Sequence, residues 1–202
     1  MARPGGTRNK DFAQTRLGLL GTLTREVLSD RSRLSSFNEL ARAAGVSRTT
    51  LRHYFEDRSG VIAALIGYWA TFEPAGEVPR TGSAFERLEA ALLFLVSGWD
   101  RGLGDFFELG LQPAIGDQRV GPAFVTHFLE PLLQNFEVQL GDLVREGVLG
   151  PTDARFASIE LVSPVVMALL HQRSLSGAGC RPLDVVAFTR DHVRRFVDAR
   201  RP

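Results

Sequence analysis

The chain has 202 residues, 44% of them hydrophobic and 23% charged, with a mean hydropathy of -0.02. This is the composition of a folded globular protein of one large or two smaller domains, and it excludes disordered, collagen-like and coiled-coil classes. The net charge of +1 conceals a division: residues 1–70 carry 11 basic against 6 acidic residues, a net of +5, and residues 71–202 carry 13 against 17, a net of -4. No apolar run approaches the ~18 residues of a membrane helix. The basic start MARPGGTRNK lacks the apolar stretch of a secretory signal, so a cytoplasmic location is expected. One cysteine, Cys180, makes neither an intrachain disulfide nor a CxxC motif.

Helical periodicity runs through almost every long segment and strand-like alternation through none, so the expectation is an all-α fold of about nine helices. Residues 9–29 set Ala13, Leu17, Leu20, Leu23 and Val27 on one stripe. A second helix follows Ser35 or Ser36, either of which can cap it, places Phe37, Leu40, Ala41 and Ala44 at i, i+3, i+4, i+7, and stops at Gly45. A third, short helix begins after Ser47 and runs from Arg48 to near Tyr54, with Leu51 and Phe55 four apart. The fourth starts at Asp57 or Ser59 and carries Val61, Ile62, Leu65, Ile66 and Trp69 on a broad apolar face. Residues 73–82, EPAGEVPRTG, hold two prolines, two glycines and no stripe, which places a domain boundary there, dividing 1–72 from 73–202. Further helices are predicted near 83–100, 104–112, 119–147, 152–175 and 182–200, with kinks at Pro131 and Pro164.

The segment SSFNELARAAGVSRTTLRHYF, residues 35–55, carries the chemistry. Two short amphipathic helices joined by Gly45-Val46-Ser47 form a helix-turn-helix pattern, since glycine tolerates the backbone the turn needs and Val46 fills the angle between the helices. The second helix then turns Arg48, Thr49, Arg52 and His53 outward and Leu51 and Phe55 inward. Such a helix fits a major groove about 12 Å wide, where arginine pairs with guanine O6 and N7 and a threonine methyl touches thymine. Ser36 and Arg58, at the starts of the flanking helices, are placed to hold phosphates. Two short helices around a glycine also occur in proteins that never meet DNA, so periodicity and charge alone leave both readings open.

The stretch AGVSRTTLRHYFEDRSGVIAAL resembles the DNA-binding domain of the tetracycline-repressor (TetR) family of bacterial transcription regulators, whose signature reads roughly A-G-V-S-x-x-T-L-Y-x-Y-F-x-x-K-x-x-L. Ala44, Gly45, Val46, Ser47, Thr50, Leu51, Tyr54 and Phe55 match it. The resemblance covers about residues 10–70. It implies a homodimer whose N-terminal three-helix domain reads a palindromic double-stranded DNA operator, and whose C-terminal domain holds a small-molecule effector pocket and a dimerising four-helix bundle. Under it Ser36, Arg48, Thr49, Thr50, Arg52, His53, Tyr54 and Arg58 occupy operator-contacting positions. Arg52 stands where the family often has tyrosine and Arg58 where it often has lysine. Glu56 and Asp57 put negative charge beside the DNA backbone and leave the phosphate register open.

The remaining two thirds carries no recognisable motif. Phe94, Trp99, Phe106, Phe107, Phe124, Phe128 and Phe136 give an aromatic density that suits either a core or a ligand cavity. The candidate pocket set is Phe94, Trp99, Phe106, Phe107, Phe124, Phe128, Met167 and His171, with Gln134, Gln172 and His127 as further polar tips. Gly98, Gly102, Gly104 and Gly110 suit either a stretch that shifts with a ligand or ordinary loop formation. Phe156, Ile159, Val166, Met167 and Leu170, with Val186, Val193, Phe196 and Val197, leave more apolar surface than the outside of a monomer carries. The expected dimer interface is therefore Phe156, Ile159, Val166, Leu170, Val193, Phe196 and Val197 in a two-fold four-helix bundle; closure of the monomer core is the alternative.

Neither a P-loop, G-x-G-x-x-G, G-x-S-x-G nor H-E-x-x-H is present, and His53, His127, His171 and His192 have no i, i+4 partner. No catalysis, metal or cofactor is expected. The reading is a TetR-type regulator, a repressor released by a small, largely apolar ligand, with a helical ligand- or partner-binding protein lacking specific DNA binding as the alternative.

Overall fold

In the computed structural model, residues 5–72 and 82–202 are described, and they form helices and, among themselves, no strand. Of the boundary segment 73–82 only Gly82 falls within the described residues. The α-helices are α1 (Gly5–Ser29), α2 (Phe37–Ala43), α3 (Arg48–Phe55), α4 (Arg58–Trp69), α5 (Ala84–Gly98), α6 (Gly104–Ala114), α7 (Val120–Phe124), α8 (Glu130–Arg145), α9 (Ala154–Leu169) and α10 (Val185–Asp198). Wider π-type turns follow α5, α7 and α9 at Trp99–Leu103, Val125–Leu129 and Leu170–Ser174, and a 3-10 turn, Arg31–Ser35, precedes α2.

The predicted helix 119–147 is thus two helices, with the turn Val125–Leu129 between them. Pro131 sits in the first turn of α8, where amides lack intrahelical acceptors and its missing N–H costs little. Pro164 stands inside α9, which is continuous from Ala154 to Leu169.

The described chain divides into two compact units. The first holds the residues up to Phe72 together with Leu109–His127; the second holds those up to Glu108 and from Phe128 to Pro202. The segment Leu109–His127 therefore packs with α1–α4, a return that the division at residue 73 did not contain.

The core of the first unit is built from Leu20, Leu23 and Val27 of α1, Leu40 of α2, Leu51 of α3, Ile62, Leu65, Ile66 and Trp69 of α4, and Phe124 of α7. Trp69 donates its indole N–H to Thr24 Oγ1 at 2.9 Å, so the polar tip of a buried ring is satisfied. The predicted stripe on α1 holds only from Leu20 onward: Leu17 is 54% exposed and Ala13 is exposed, while Leu19 is buried. Toward its start α1 meets α3 through other side chains, Phe12 on Tyr54 and Arg16 over the ring of Phe55.

In the second unit α8 packs on α9, and α10 packs on both α5 and α9. Leu88, Leu92, Phe136, Leu140, Leu161, Val165 and Leu169 fill its interior. The run Ala154–Ser174, whose most apolar 18-residue stretch has a mean hydropathy of 1.3, has the length and composition of a membrane-crossing helix, contrary to the expectation of none. Its Ala157, Leu161, Val165 and Ala168 are buried against the neighbouring helices, and Arg155 pairs with Glu130 at 2.7 Å and Glu137 at 3.3 Å.

Candidate nucleic-acid interface

Local chemistry sets each end of the helix-turn-helix. Ser36 is extended and its Oγ accepts from the Glu39 amide at 3.2 Å, which caps α2 and leaves the hydroxyl proton for an outside acceptor. At the other end Gly45 takes φ +68°, its N–H donates to Arg42 O and that of Val46 to Ala41 O, both at 3.1 Å. This paired closure requires a left-handed residue, which is what glycine supplies. Ser47 then caps α3, its Oγ accepting from the Thr50 amide at 3.0 Å.

Leu51 and Phe55 are buried and lock α3 onto the unit. The same packing leaves Arg48, Thr49, Thr50, Arg52 and His53 exposed on a single helix of eight residues. Thr50 Oγ1 lies 2.8 Å from Ser47 Oγ, so this threonine also supports the cap. Tyr54 is half-buried, its ring 4.7 Å from Phe12, and His53 meets the same ring edge-on at 5.4 Å. Phe12 thereby braces the outer half of α3, a role no periodic pattern announced. Arg58 is half-buried and donates from Nε to Leu34 O at 2.7 Å, so only its Nη atoms remain for a phosphate.

The two carboxylates that left the phosphate register open have a partner that sequence reading missed. Arg119, just before α7, reaches Glu56 Oε2 at 2.7 Å and Asp57 Oδ2 at 3.2 Å. Asp57 Oδ1 also accepts from the Gly60 amide at 2.8 Å and so caps α4. Asp117 accepts from the Ser59 hydroxyl at 2.6 Å and from the amides of Arg119 and Val120, each at 2.9 Å. These bonds, the hydroxyl first, hold the Asp117 carboxyl below the ordinary carboxylate range.

The candidate pocket residues separate. Phe124 belongs to the first unit, its ring against Gly110 and near Ile66, and it fills that core. In the second unit Trp99 is 5% exposed, its ring lies 5.0 Å from that of the buried Phe107, and its Nε1 has no hydrogen-bond partner. Phe94 is half-buried beneath Arg101, and Phe106 and Phe128 are half-buried. Met167 is 64% exposed and His171 is exposed, so both lie on the surface and line no enclosed space. Gln172 is buried, but it is spent on structure: Nε2 donates to Arg181 O and Oε1 accepts from the Leu183 amide, each at 3.0 Å, pinning the loop after α9. Gln134 and His127 are exposed, His127 in the first unit.

The apolar set expected at the dimer interface also divides. Phe156, at 72% exposure, and Ile159 are open on α9, and Val166 and Leu170 are half-buried. Val193, Phe196 and Val197 are buried within the protomer, because α10 lays that stripe on α5 and α9. Those three are core; Val186, on the outer side of α10, is exposed in their place.

No family model matches the chain, and no curated protein matches it. Solved structures do. A Mesorhizobium loti protein assigned to the TetR family superposes with a TM-score of 0.70 at 17% identity, over 93% of this chain and 97% of its own. A TetR transcriptional regulator from Agrobacterium tumefaciens gives 0.65 at 22% identity, over 92% and 94%. The flavonoid-responsive regulator FrrA gives 0.69 at 18% identity, over 94% and 98%. From the capped helix-turn-helix to the last helix, this chain has the fold of the TetR-family transcriptional regulators.

Proposed function

We propose that the protein is a cytoplasmic DNA-binding transcriptional regulator that reads a palindromic operator as a homodimer and represses until a small, largely apolar ligand releases it. The observation that carries this reading is the exposed face of α3, where Arg48, Thr49, Arg52 and His53 stand together on a helix capped at its start and anchored from behind. Arg48 and Arg52 supply the forked donors that match guanine in the major groove, and Thr49 supplies a methyl and a hydroxyl. Ser36 Oγ–H, the Nη atoms of Arg58 and Tyr54 are assigned to the flanking phosphates. Two such helices must lie about 34 Å apart to enter successive major grooves on one side of the duplex. The exposed side chains Phe156, Ile159, Met167 and Val186 are the surface we assign to the two-fold partner.

For the ligand, we assign the region around Trp99 and Phe107, where the unpartnered indole N–H would donate to an acceptor on an otherwise apolar molecule. Fluorescence anisotropy with the upstream intergenic duplex and a scrambled duplex of equal length, at about 150 mM salt, tests the reading. Specific recognition predicts a preference of about a hundredfold or more for the intergenic DNA, lost in the Arg48→Ala/Arg52→Ala variant. Equal weak binding to every genomic fragment would replace this reading with a partner-binding protein.

A further inference from the structure

The chain passes from α3 to α4 through Glu56 and Asp57, and this corner is costly in two ways. Glu56 takes φ +69°, a left-handed conformation that a side-chain-bearing residue rarely adopts. Its carboxylate and that of Asp57 also stand at the C-terminal end of α3, where the helix already presents partial negative charge. Neither residue contributes to the core; both are exposed.

Arg119 answers both. Its guanidinium spans the two carboxylates, with Nη2 on Glu56 at 2.7 Å and Nη1 on Asp57 at 3.2 and 3.3 Å. It lies over Gly60, where a Cβ would come within 3.3 Å of the guanidinium carbon, so the absent side chain gives the arginine room. The backbone that carries Arg119 is held in turn, since Asp117 accepts from its amide and from the hydroxyl of Ser59 in the first turn of α4. The segment Leu109–His127 is thus latched at two points, by Arg119 to the exit of α3 and by Asp117 to the start of α4, both inside one compact unit.

We infer that Arg119 is a positioning residue for the DNA-reading helix, fixing the exit of α3 and neutralising carboxylates that would otherwise repel the operator backbone. Its role runs through Glu56 and Asp57, the two carboxylates its guanidinium bonds. The DNA-binding half of the inference rests on the proposed function above.

The test uses Arg119→Met, which keeps much of the stem and removes the charge, and a triple variant, Glu56→Gln/Asp57→Asn/Arg119→Met. The triple variant removes the charges the arginine serves, while its asparagine, a good N-cap residue, preserves the start of α4. In the free protein the amide of Glu56, which donates to Arg52 O at 2.9 Å, is expected to exchange about threefold to tenfold faster in Arg119→Met. Affinity for the upstream duplex is expected to fall by about the same factor, with the slope of log K against log salt unchanged, and to return to within about twofold in the triple variant. Unchanged exchange in Arg119→Met overturns the inference. So does a salt slope lower by about one with no recovery in the triple variant, which would make Arg119 a direct phosphate ligand. If exchange accelerates but the wild-type protein prefers no DNA, the latch stands and the proposed function falls.

Discussion

Gly60 carries no chemistry of its own, yet the corner after α3 depends on its lack of a side chain. A Cβ there falls well inside contact distance of the Phe55 carbonyl oxygen, a backbone atom that cannot step aside. Gly60→Ala is expected to cost about 2–3 kcal/mol, read as a lower urea midpoint at unchanged m. Thr24→Val keeps the shape of the residue that accepts from the buried Trp69 indole and removes the acceptor, and is expected to cost about 1–3 kcal/mol in the same measurement. Asp117 gives a pH signature. Its carboxyl is held below its ordinary value of 3.8, so its contribution to stability is full above that value and is lost as pH falls through the lowered folded-state value. Other carboxylates are lowered as well, so the wild-type urea midpoint falls in acid for several reasons. Ser59→Ala removes the largest cause at Asp117, and the fall below about pH 4 is expected to be shallower in that variant.

At the scale of elements, what was legible is what depends on neighbours in sequence. Ser47 and Gly45 read correctly as cap and stop, and Ser36 and Asp57 were each one of two candidates, because each satisfies backbone groups within a few residues of itself. Gly45→Ala forces a Cβ into a left-handed position and is expected to lower stability by about 1 kcal/mol while leaving the helix content by circular dichroism near the wild-type value. Periodicity found the apolar face of α10 but not its partner; Val193, Phe196 and Val197 look the same whether a neighbouring helix or a second chain covers them. The same blindness sent Phe124 to a pocket when it fills the first unit's core. Arg119 was invisible for a plainer reason, since an exposed arginine 63 positions from Glu56 has no local signal, and ion pairs leave no periodic trace. The three π-type turns were equally unreadable, each one residue wider than the helix it follows.

At the scale of the whole molecule, the segment Leu109–His127 makes the first unit discontinuous in sequence, with α6 beginning among the residues of the second unit and ending among those of the first. A truncation after residue 72 would therefore lose Arg119, Asp117 and Phe124 from the first unit. Dimerisation belongs to this scale too. Phe156→Glu places a charge where the account puts a two-fold apolar contact, and light scattering is expected to report a monomer that stays folded, because the side chain is 72% exposed in the protomer. Persistence of the dimer would move the interface elsewhere. The central claim, that α3 of each protomer enters a major groove of one operator, is tested most directly by hydroxyl-radical footprinting of the upstream intergenic DNA. The account predicts two symmetric protected patches whose centres lie about 34 Å apart or a multiple of it, both erased in Arg48→Ala/Arg52→Ala. Uniform cleavage at protein concentrations that saturate the duplex, or protection that survives that double substitution, would contradict it.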